Sequence, residues 1–123
     1  MPRSIVVVLA EDEPLIRLAA AQALQAEGFD VMEAGHAEDA LTILATHAAD
    51  IHVLFTDVQM PGTMDGVALA HHTARSWPWI GLLIASGGPQ LDRALPTASR
   101  FLAKPYDHDH VASHIRELAA ASV

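Results

Sequence analysis

Residues 51–61 of the chain read IHVLFTDVQMP, an apolar run that ends in an aspartate and is followed by a turn. A short, nearly continuous apolar run of this kind is typical of a parallel strand buried on both faces. Asp57 lies at the carboxyl end of the predicted strand, and Pro61 directs the chain away from it. An isolated aspartate at such a position is usually a turn residue or a helix cap. Its interpretation therefore depends on the residues at the ends of the other strands.

The rest of the chain alternates between apolar runs and segments of helical periodicity. Aliphatic and β-branched residues dominate the runs, which suits strands covered on both faces of a sheet. Proline, glycine or acidic residues bound the helical segments, as is common at helix ends. The further strands are predicted at residues 5–9, 29–34, 80–85 and 100–103, and the helices at about residues 14–27, 37–47, 66–76 and 107–121.

A glycine- and proline-rich passage, residues 87–97, has room for only a short additional helix. With that helix included, the chain consists of five strand–helix pairs. This alternation predicts an α/β fold with a five-stranded parallel sheet and helices on both faces. No linker, internal repeat or low-complexity segment interrupts the pattern. We therefore expect residues 1–123 to form one domain, with any output domain on another chain.

The overall composition narrows the functional classes. With 123 residues, of which 51% are hydrophobic, the chain is long enough and apolar enough to bury a core. Its net charge of −8 argues against binding to nucleic acid or to anionic membranes. The longest apolar runs fall well short of the roughly 20 residues that a membrane helix needs. Because there is no cysteine and the amino-terminal apolar run is too short for a signal peptide, we expect a soluble cytoplasmic protein.

Acidic, hydroxyl and amino side chains come directly after four of the five predicted strands. In an open parallel sheet, ligands bind beyond the carboxyl ends of the strands, where the strand order reverses. One polar residue at such a position would carry little weight, but four strands that end in this way indicate a common site. The residues are Glu11 and Asp12 after the first strand, Asp57 at the end of the third, Ser86 after the fourth and Lys104 after the fifth.

These side chains suit phosphoryl transfer assisted by a divalent cation. Three clustered carboxylates repel one another unless a cation lies between them, and an oxygen-only site with few protein ligands suits Mg²⁺. The Lys104 ammonium and the Ser86 hydroxyl would then contact the transferred phosphoryl group. An aspartate such as Asp57 can act as the nucleophile and form an acyl phosphate.

Together with their neighbours, these residues resemble the receiver domain of two-component response regulators over nearly the whole chain. The resemblance implies a flavodoxin-like fold with strand order 2-1-3-4-5. It also implies a signalling phosphoprotein that assists its own phosphorylation and dephosphorylation, and not an enzyme acting on other substrates. The motifs that carry it are Glu11-Asp12, Asp57-x-x-Met60-Pro61, Asp65-Gly66, Ser86-Gly87 and Lys104-Pro105.

The resemblance implies how the phosphoacceptor and the metal ion are bound. Asp57 would receive the phosphoryl group from a phosphohistidine on a histidine kinase or a histidine phosphotransfer protein. Asp12, Asp57 and the backbone carbonyl of Gln59 would bind Mg²⁺ directly. Glu11 would act mainly through a coordinated water molecule.

The resemblance also implies a switch that responds to phosphorylation. Lys104 would pair with the phosphoryl group, and the bond between Lys104 and Pro105 would be a cis peptide. Ser86 would be the switch hydroxyl, and Phe101 occupies the position of the coupled switch aromatic. Tyr106 lies beyond Lys104 and is not that aromatic residue.

Two segments depart from the usual pattern of the family. The loop at residues 61–66 is one residue longer than the commonest form. The interval between Ser86 and Lys104 is shorter than usual and contains Pro89 and Pro96, which places the fourth helix in question. Many receivers dimerise through the fourth helix and the elements after it, so a weak homodimer is a further hypothesis.

Three other functional interpretations of the sequence are weaker. A dehalogenase-like phosphatase or phosphotransferase needs a second aspartate two positions after the nucleophile, where this chain has Gln59. A flavodoxin-like cofactor site cradles phosphate with glycine and hydroxyl residues, whereas the acidic residues 11–13 would repel phosphate. A zinc site formed by the histidines at positions 108, 110 and 114 has suitable spacing but no cysteine to support it.

Overall fold

Five strands alternate with four α-helices in the computed structural model, which describes residues 4–88 and 93–121. A short 3₁₀ turn at Ala48–Asp50 leads into the third strand. The strands are β1 (Val6–Ala10), β2 (Asp30–Ala34), β3 (Val53–Asp57), β4 (Gly81–Ser86) and β5 (Arg100–Ala103), and the helices are α1 (Pro14–Ala26), α2 (Ala37–His47), α3 (Gly66–Ser76) and α4 (His108–Ala121).

The strands form one parallel sheet in the order β2-β1-β3-β4-β5. β3 lies at its centre, with Val53 opposite Val7 of β1 and Gly81 of β4. All five residues of β3 are buried, as the apolar run predicts. The predicted α/β flavodoxin-like fold and its strand order are therefore confirmed. The strand order reverses between β1 and β3, so that a crevice forms beyond their carboxyl ends.

The alternation of side chains along the strands produces a core on each face of the sheet. In β1, Val8 and Ala10 point to the face covered by α2 and α3, whereas Val7 and Leu9 point to the face covered by α1 and α4. Burying a large aliphatic or aromatic side chain contributes about 1.5–3 kcal/mol. These two apolar layers fix the register of the strands, because a shift by one residue would exchange their faces.

The ends of the helices follow local sequence signals. Pro14 occupies the first turn of α1, and Gly28, with a φ of +94°, follows its carboxyl end. The Asp65 carboxylate accepts a hydrogen bond from the Ala68 N–H at 3.0 Å and thereby caps the amino terminus of α3. Within the described residues, no helix is both long enough and apolar enough to cross a membrane.

The passage between β4 and β5 contains no helix among its described residues, 87–88 and 93–99. The remainder of the short helix expected there, residues 89–92, lies outside the described residues. The part that leads into β5 is tied to α3, because the imidazole Nε2 of His71 lies 2.8 Å from the Ala94 carbonyl oxygen. The last helix, α4, therefore follows β5 and occupies the place of the fifth helix in the predicted series.

Gly66, the first residue of α3, lies against the carboxyl end of β3. Its N–H donates to the Val58 carbonyl at 2.8 Å, and a Cβ atom at this position would lie 1.8 Å from the Asp57 carbonyl oxygen. The Val58 and Asp57 carbonyls both belong to the backbone, so neither can rotate away from an added side chain. Only glycine allows this approach of the helix to the strand end.

We expect the substitution Gly66→Ala to lower the free energy of unfolding by about 3 kcal/mol, because the methyl group forces α3 away from β3. Urea unfolding followed by circular dichroism would measure the change. Gly35→Ala is the matched control, since the nearest atom to its added Cβ, at 3.2 Å, is a side-chain atom, Arg17 Nη1, and not a backbone atom. Equal losses for the two variants would contradict this explanation.

Candidate functional site

Polar side chains from β1, β3 and β5 meet at the carboxyl edge of the sheet. Glu11 and Asp12 follow β1, Asp57 ends β3, and Lys104 follows β5. One carboxylate oxygen from each of the three acidic residues lies within 4.8 Å of the others. The structure therefore brings together four of the residues that the sequence selected, although they are as far as 93 positions apart in the chain.

Burial makes this acidic cluster electrostatically unfavourable on its own. Glu11 is only 3% exposed and Asp57 only 8% exposed. Burial raises the pKa of the Glu11 carboxyl, and the nearby charge of Asp57 raises this pKa further, against the opposing effects of the Glu13 N–H and Lys104. A cation placed among the carboxylates would remove this repulsion.

Lys104 supplies one positive charge to the cluster. Its Nζ atom lies 3.1 Å from Asp57 Oδ2 and 3.5 Å from Glu11 Oε1. Burial lowers the pKa of the ammonium, but the hydrogen bond to Asp57 and the charges of Asp57 and Glu11 outweigh burial and raise the pKa above its usual value. One ammonium facing three carboxylates leaves the cluster with an excess of negative charge.

The second carboxylate oxygen of Asp57 is available for a ligand. Oδ2 pairs with Lys104, whereas Oδ1 is buried and has no hydrogen-bond partner among the described residues. Leaving a buried acceptor unpaired costs about 1–3 kcal/mol. A hard cation with its water molecules would satisfy this oxygen and neutralise the excess charge, and the all-carboxylate donor set fits Mg²⁺.

Ser86 ends β4, and Gln59 lies on the loop after β3. The buried Ser86 hydroxyl accepts a hydrogen bond from the Gly88 N–H at 3.2 Å. The exposed Gln59 side chain lies over the same glycine, since a Cβ atom on Gly88 would be 2.4 Å from Gln59 Nε2. In the structure, both side chains therefore contact the loop after β4.

The two aromatic residues near Lys104 differ in their surroundings. Phe101 lies on the edge strand β5 and is 45% exposed. Tyr106 packs its ring edge-on against Phe55 at a centroid distance of 5.6 Å, and burial raises the pKa of its hydroxyl. Between them, the bond from Lys104 to Pro105 is a cis peptide, as the resemblance implied.

Arg17 and the apolar surface of α1 belong to the surroundings of the site but were not selected from the sequence. Arg17 Nη1 donates to the Glu11 carbonyl at 2.9 Å, directly behind the acidic cluster. The apolar residues Leu15, Ile16 and Leu18 remain exposed on the same helix. Two features of the sequence could have identified these residues. One is a cation in the first turn of a helix, and the other is a set of apolar residues at adjacent positions that cannot all face the core.

The histidines of α4 do not converge on a zinc site. His114 Nδ1 lies 3.1 Å from Arg100 Nη1, and the same guanidinium pairs with Glu117. Among the described residues, the group of three side chains that could hold a metal ion together is the acidic cluster. The arrangement of His114 is that of a surface ion-pair network.

Comparison with known proteins agrees with this fold. Residues 7–116 match the family of response regulator receiver domains. The chain is 32% identical over 119 residues, 94% of its length, to the sensor kinase CckA of Brucella abortus. It is 35% identical over 104 residues, 81% of its length, to the transcriptional regulatory protein PdtaR of Mycobacterium tuberculosis.

A solved structure supports the fold independently of sequence. The response regulator receiver domain protein from Clostridium thermocellum superposes with a TM-score of 0.88 and 21% identity, covering 95% of both chains. The chain spans 12% of the sensor kinase and 49% of the transcriptional regulator, so these matches concern a part of each relative. The chain belongs to the family of response regulator receiver domains. Receiver domains are signalling phosphoacceptor domains and not classical enzymes.

Replacing Glu11 by Gln removes one of three mutually repelling carboxylates. We expect the free energy of unfolding in EDTA to rise by about 1 kcal/mol, because desolvation and repulsion of the charge disappear. Millimolar Mg²⁺ should raise the Tm of the unsubstituted chain, as any ligand of the native state does, and should raise that of the variant less. Differential scanning calorimetry with and without Mg²⁺ measures both effects.

Asp30→Asn is the control for this experiment, since Asp30 is an exposed carboxylate at the opposite end of the sheet. Its stability in EDTA should change by less than about 0.5 kcal/mol and its response to Mg²⁺ should stay unchanged. A Glu11→Gln variant that is less stable in EDTA and responds normally to Mg²⁺ would show that the cluster is not a cation site.

Proposed function

We propose that the chain is the phosphoacceptor of a two-component or phosphorelay pathway, in which Asp57 receives a phosphoryl group from a phosphohistidine. The observation that carries the proposal is the state of the Asp57 carboxylate. One oxygen is paired with Lys104 at 3.1 Å, and the other is buried and unpartnered among the described residues, beside two further carboxylates. This arrangement suits a nucleophile whose product carries additional negative charge.

In the proposed reaction, a carboxylate oxygen of Asp57 attacks the phosphorus atom of the phosphohistidine. The new P–O bond forms an acyl phosphate as the P–N bond breaks, and the imidazole keeps the electron pair and takes a proton from solvent. The Lys104 ammonium, already within 3.5 Å of Asp57 and Glu11, neutralises charge on the transferred group. Mg²⁺ held by Asp12, Asp57 and the Gln59 carbonyl, with Glu11 acting mainly through a coordinated water molecule, would supply further charge neutralisation.

The proposed switch uses the strands next to β3. Ser86 ends β4 beside Asp57, and its hydroxyl, which accepts a hydrogen bond from the Gly88 N–H, would donate its own proton to a phosphoryl oxygen. Phe101 pairs with Ile84 on the neighbouring strand, two residues before Ser86, and is partly exposed. Movement of Ser86 would thus change the space available beside Phe101 and alter the surface of β5.

The exposed apolar face of α1 supports docking of a phosphohistidine-bearing protein. Leu15 is 80% exposed, and Ile16 is 44% exposed. A cavity of about 570 Å³ connects this face to the Lys104 side chain, and its lining includes Leu15, Ile16, Ala19, Lys104, Pro105 and Tyr106. An apolar surface that leads to Lys104, the partner of Asp57, suits a protein that must bring a phosphohistidine to this site.

Turnover of external phosphate esters is not part of the proposal. A dehalogenase-like enzyme protonates its leaving group with an acid two positions after the nucleophile, and that position is Gln59. The Gln59 amide carries no acidic proton, and its side chain lies over Gly88. Hydrolysis by this chain would be limited to its own acyl phosphate.

Incubation with Mg²⁺ and phosphoramidate should add one phosphoryl group to the unsubstituted chain. We expect Asp57→Asn to abolish this addition, because the amide is not a nucleophile for phosphorus. Intact-protein mass spectrometry measures the modification. Asp50→Asn, an exposed aspartate in the 3₁₀ turn, serves as the control and should be modified normally. Phosphorylation that persists in Asp57→Asn would refute the assignment.

Substitutions on the exposed face of α1 should separate docking from chemistry. We expect Leu15→Glu to slow transfer from phosphorylated histidine kinases of the source organism by about tenfold or more, as loss of an apolar contact worth about 1.4 kcal/mol would. Phosphorylation by phosphoramidate should not change. Radiolabelled transfer assays with both donors make the comparison.

Ala26→Glu, at the far end of the same helix, is the control and should leave both donors equally effective. Normal transfer to the Leu15→Glu variant from its protein donor would show that α1 is not the docking surface.

A further inference from the structure

We infer that Arg17 is a positioning residue for the acidic cluster and acts through the backbone of the loop between β1 and α1. The inference rests on the proposed Mg²⁺ site and concerns how the chain holds its carboxylates in place. Arg17 contacts the peptide group that joins Glu11 to Asp12, and it pairs with neither Asp57 nor Lys104 within the described part of the chain.

The guanidinium group of Arg17 links this loop to the neighbouring strand. Nη1 donates to the Glu11 carbonyl at 2.9 Å, and Nε lies 3.4 Å from Glu33 Oε1 on β2. The Arg17 side chain is only 25% exposed. A planar group with several donors in fixed directions can hold two acceptors at once, which a lysine ammonium does less well.

The position of Arg17 in its helix indicates that the helix itself does not benefit from the charge. Arg17 lies in the first turn of α1, where its N–H donates to the Glu13 carbonyl. A cation at a helix amino terminus opposes the helix dipole, at a cost of a few tenths of a kcal/mol. Side chains in helices point towards the amino terminus, and this directs Arg17 towards the loop. The contact with the Glu11 carbonyl therefore compensates for this unfavourable interaction with the helix dipole.

The neighbouring backbone leaves room for the guanidinium group. A Cβ atom on Gly35, just after β2, would lie 3.2 Å from Arg17 Nη1. The Glu11 N–H donates to the Ala34 carbonyl at 3.0 Å. The peptide before Glu11 is thus held by β2 through its N–H, and the peptide after Glu11 is held by Arg17 through its carbonyl. The Arg17 hydrogen bond therefore restrains rotation of the Glu11–Asp12 peptide plane.

A fixed peptide plane determines the directions in which the Glu11 and Asp12 side chains leave the backbone. Glu11 precedes this peptide and Asp12 follows it, so the ψ angle of Glu11 and the φ angle of Asp12, which set the relative orientation of the two side chains, both depend on its position. The Glu11 carboxylate also accepts from the Glu13 N–H at 3.1 Å, which further depends on the loop conformation. Loss of the Arg17 contact would therefore spread carboxylate oxygens that now lie within 4.8 Å of one another.

The proposed effect of Arg17 on the cluster is one of geometry, because its contacts are with the Glu11 carbonyl and the Glu33 carboxylate and not with the clustered carboxylates themselves. A lysine at position 17 would keep the charge but not the two-pronged contact. The variants Arg17→Gln and Arg17→Lys therefore distinguish the two explanations.

The test is an NMR titration of each variant with MgCl₂, in which amide shifts report both the fold and the Kd for Mg²⁺. We expect Arg17→Gln to weaken Mg²⁺ binding about tenfold, the size typical of residues that orient metal ligands. Arg17→Lys should recover only part of this loss. The Tm in EDTA should fall no further than in Arg116→Gln, a matched control whose guanidinium pairs with Glu27 beyond the other end of α1.

The outcomes separate this inference from the proposed function. Normal Mg²⁺ binding by Arg17→Gln, or full recovery in Arg17→Lys, would overturn the positioning role while leaving the metal site intact. A lower Tm with an unchanged Kd would also overturn it, because Arg17 would then be merely structural. An unsubstituted chain that does not bind Mg²⁺ would overturn both the site and the inference. If Arg17→Gln does not fold, the titration of Arg17→Lys alone decides.

Discussion

The parallel sheet holds three carboxylates together against their mutual repulsion. At separations near 5 Å and an effective dielectric constant of about 20, each pair of charges repels by roughly 3 kcal/mol. Each large side chain that β3 buries contributes about 1.5–3 kcal/mol, and Val53, Leu54 and Phe55 are all at most 2% exposed. The strands that carry the acidic residues are thus anchored strongly enough to impose the contact, which Lys104 only partly relieves.

The fold could be predicted because the sequence signals that specify its strands and helices are local. Apolar runs and helix-ending residues identified each strand and helix within a few positions, and the alternation restricted the topology. β5 was predicted with its observed bounds, whereas β3 begins at Val53 and not at Ile51 because the 3₁₀ turn precedes it. The proximity of Glu11, Asp12, Asp57 and Lys104 was predictable for the same reason, since residues that end parallel strands meet at one edge.

The supporting contacts of the site could not be predicted, because they join distant backbone groups. Nothing near Gly66 in the sequence indicates that a side chain there would meet the Asp57 carbonyl. The contacts of the lengthened loop after Asp57 could not be predicted either. Its Thr63 hydroxyl donates to Glu38 at the start of α2 at 2.8 Å, and this hydrogen bond lowers the pKa of the Glu38 carboxyl. Only the folded chain brings α2 to this loop.

Helix α1 connects the two parts of the site that the sequence did not reveal. On one side, Arg17 reaches back to the peptide between Glu11 and Asp12. On the outer side, Leu15 and Ile16 form the apolar face that leads to Lys104. Because a helix transmits the position of one side to the other almost rigidly, a partner seated on Leu15, as proposed, would be placed in a fixed relation to the acidic cluster. In this proposal, the helix that offers the docking surface would also set the geometry in which the phosphoryl group is received.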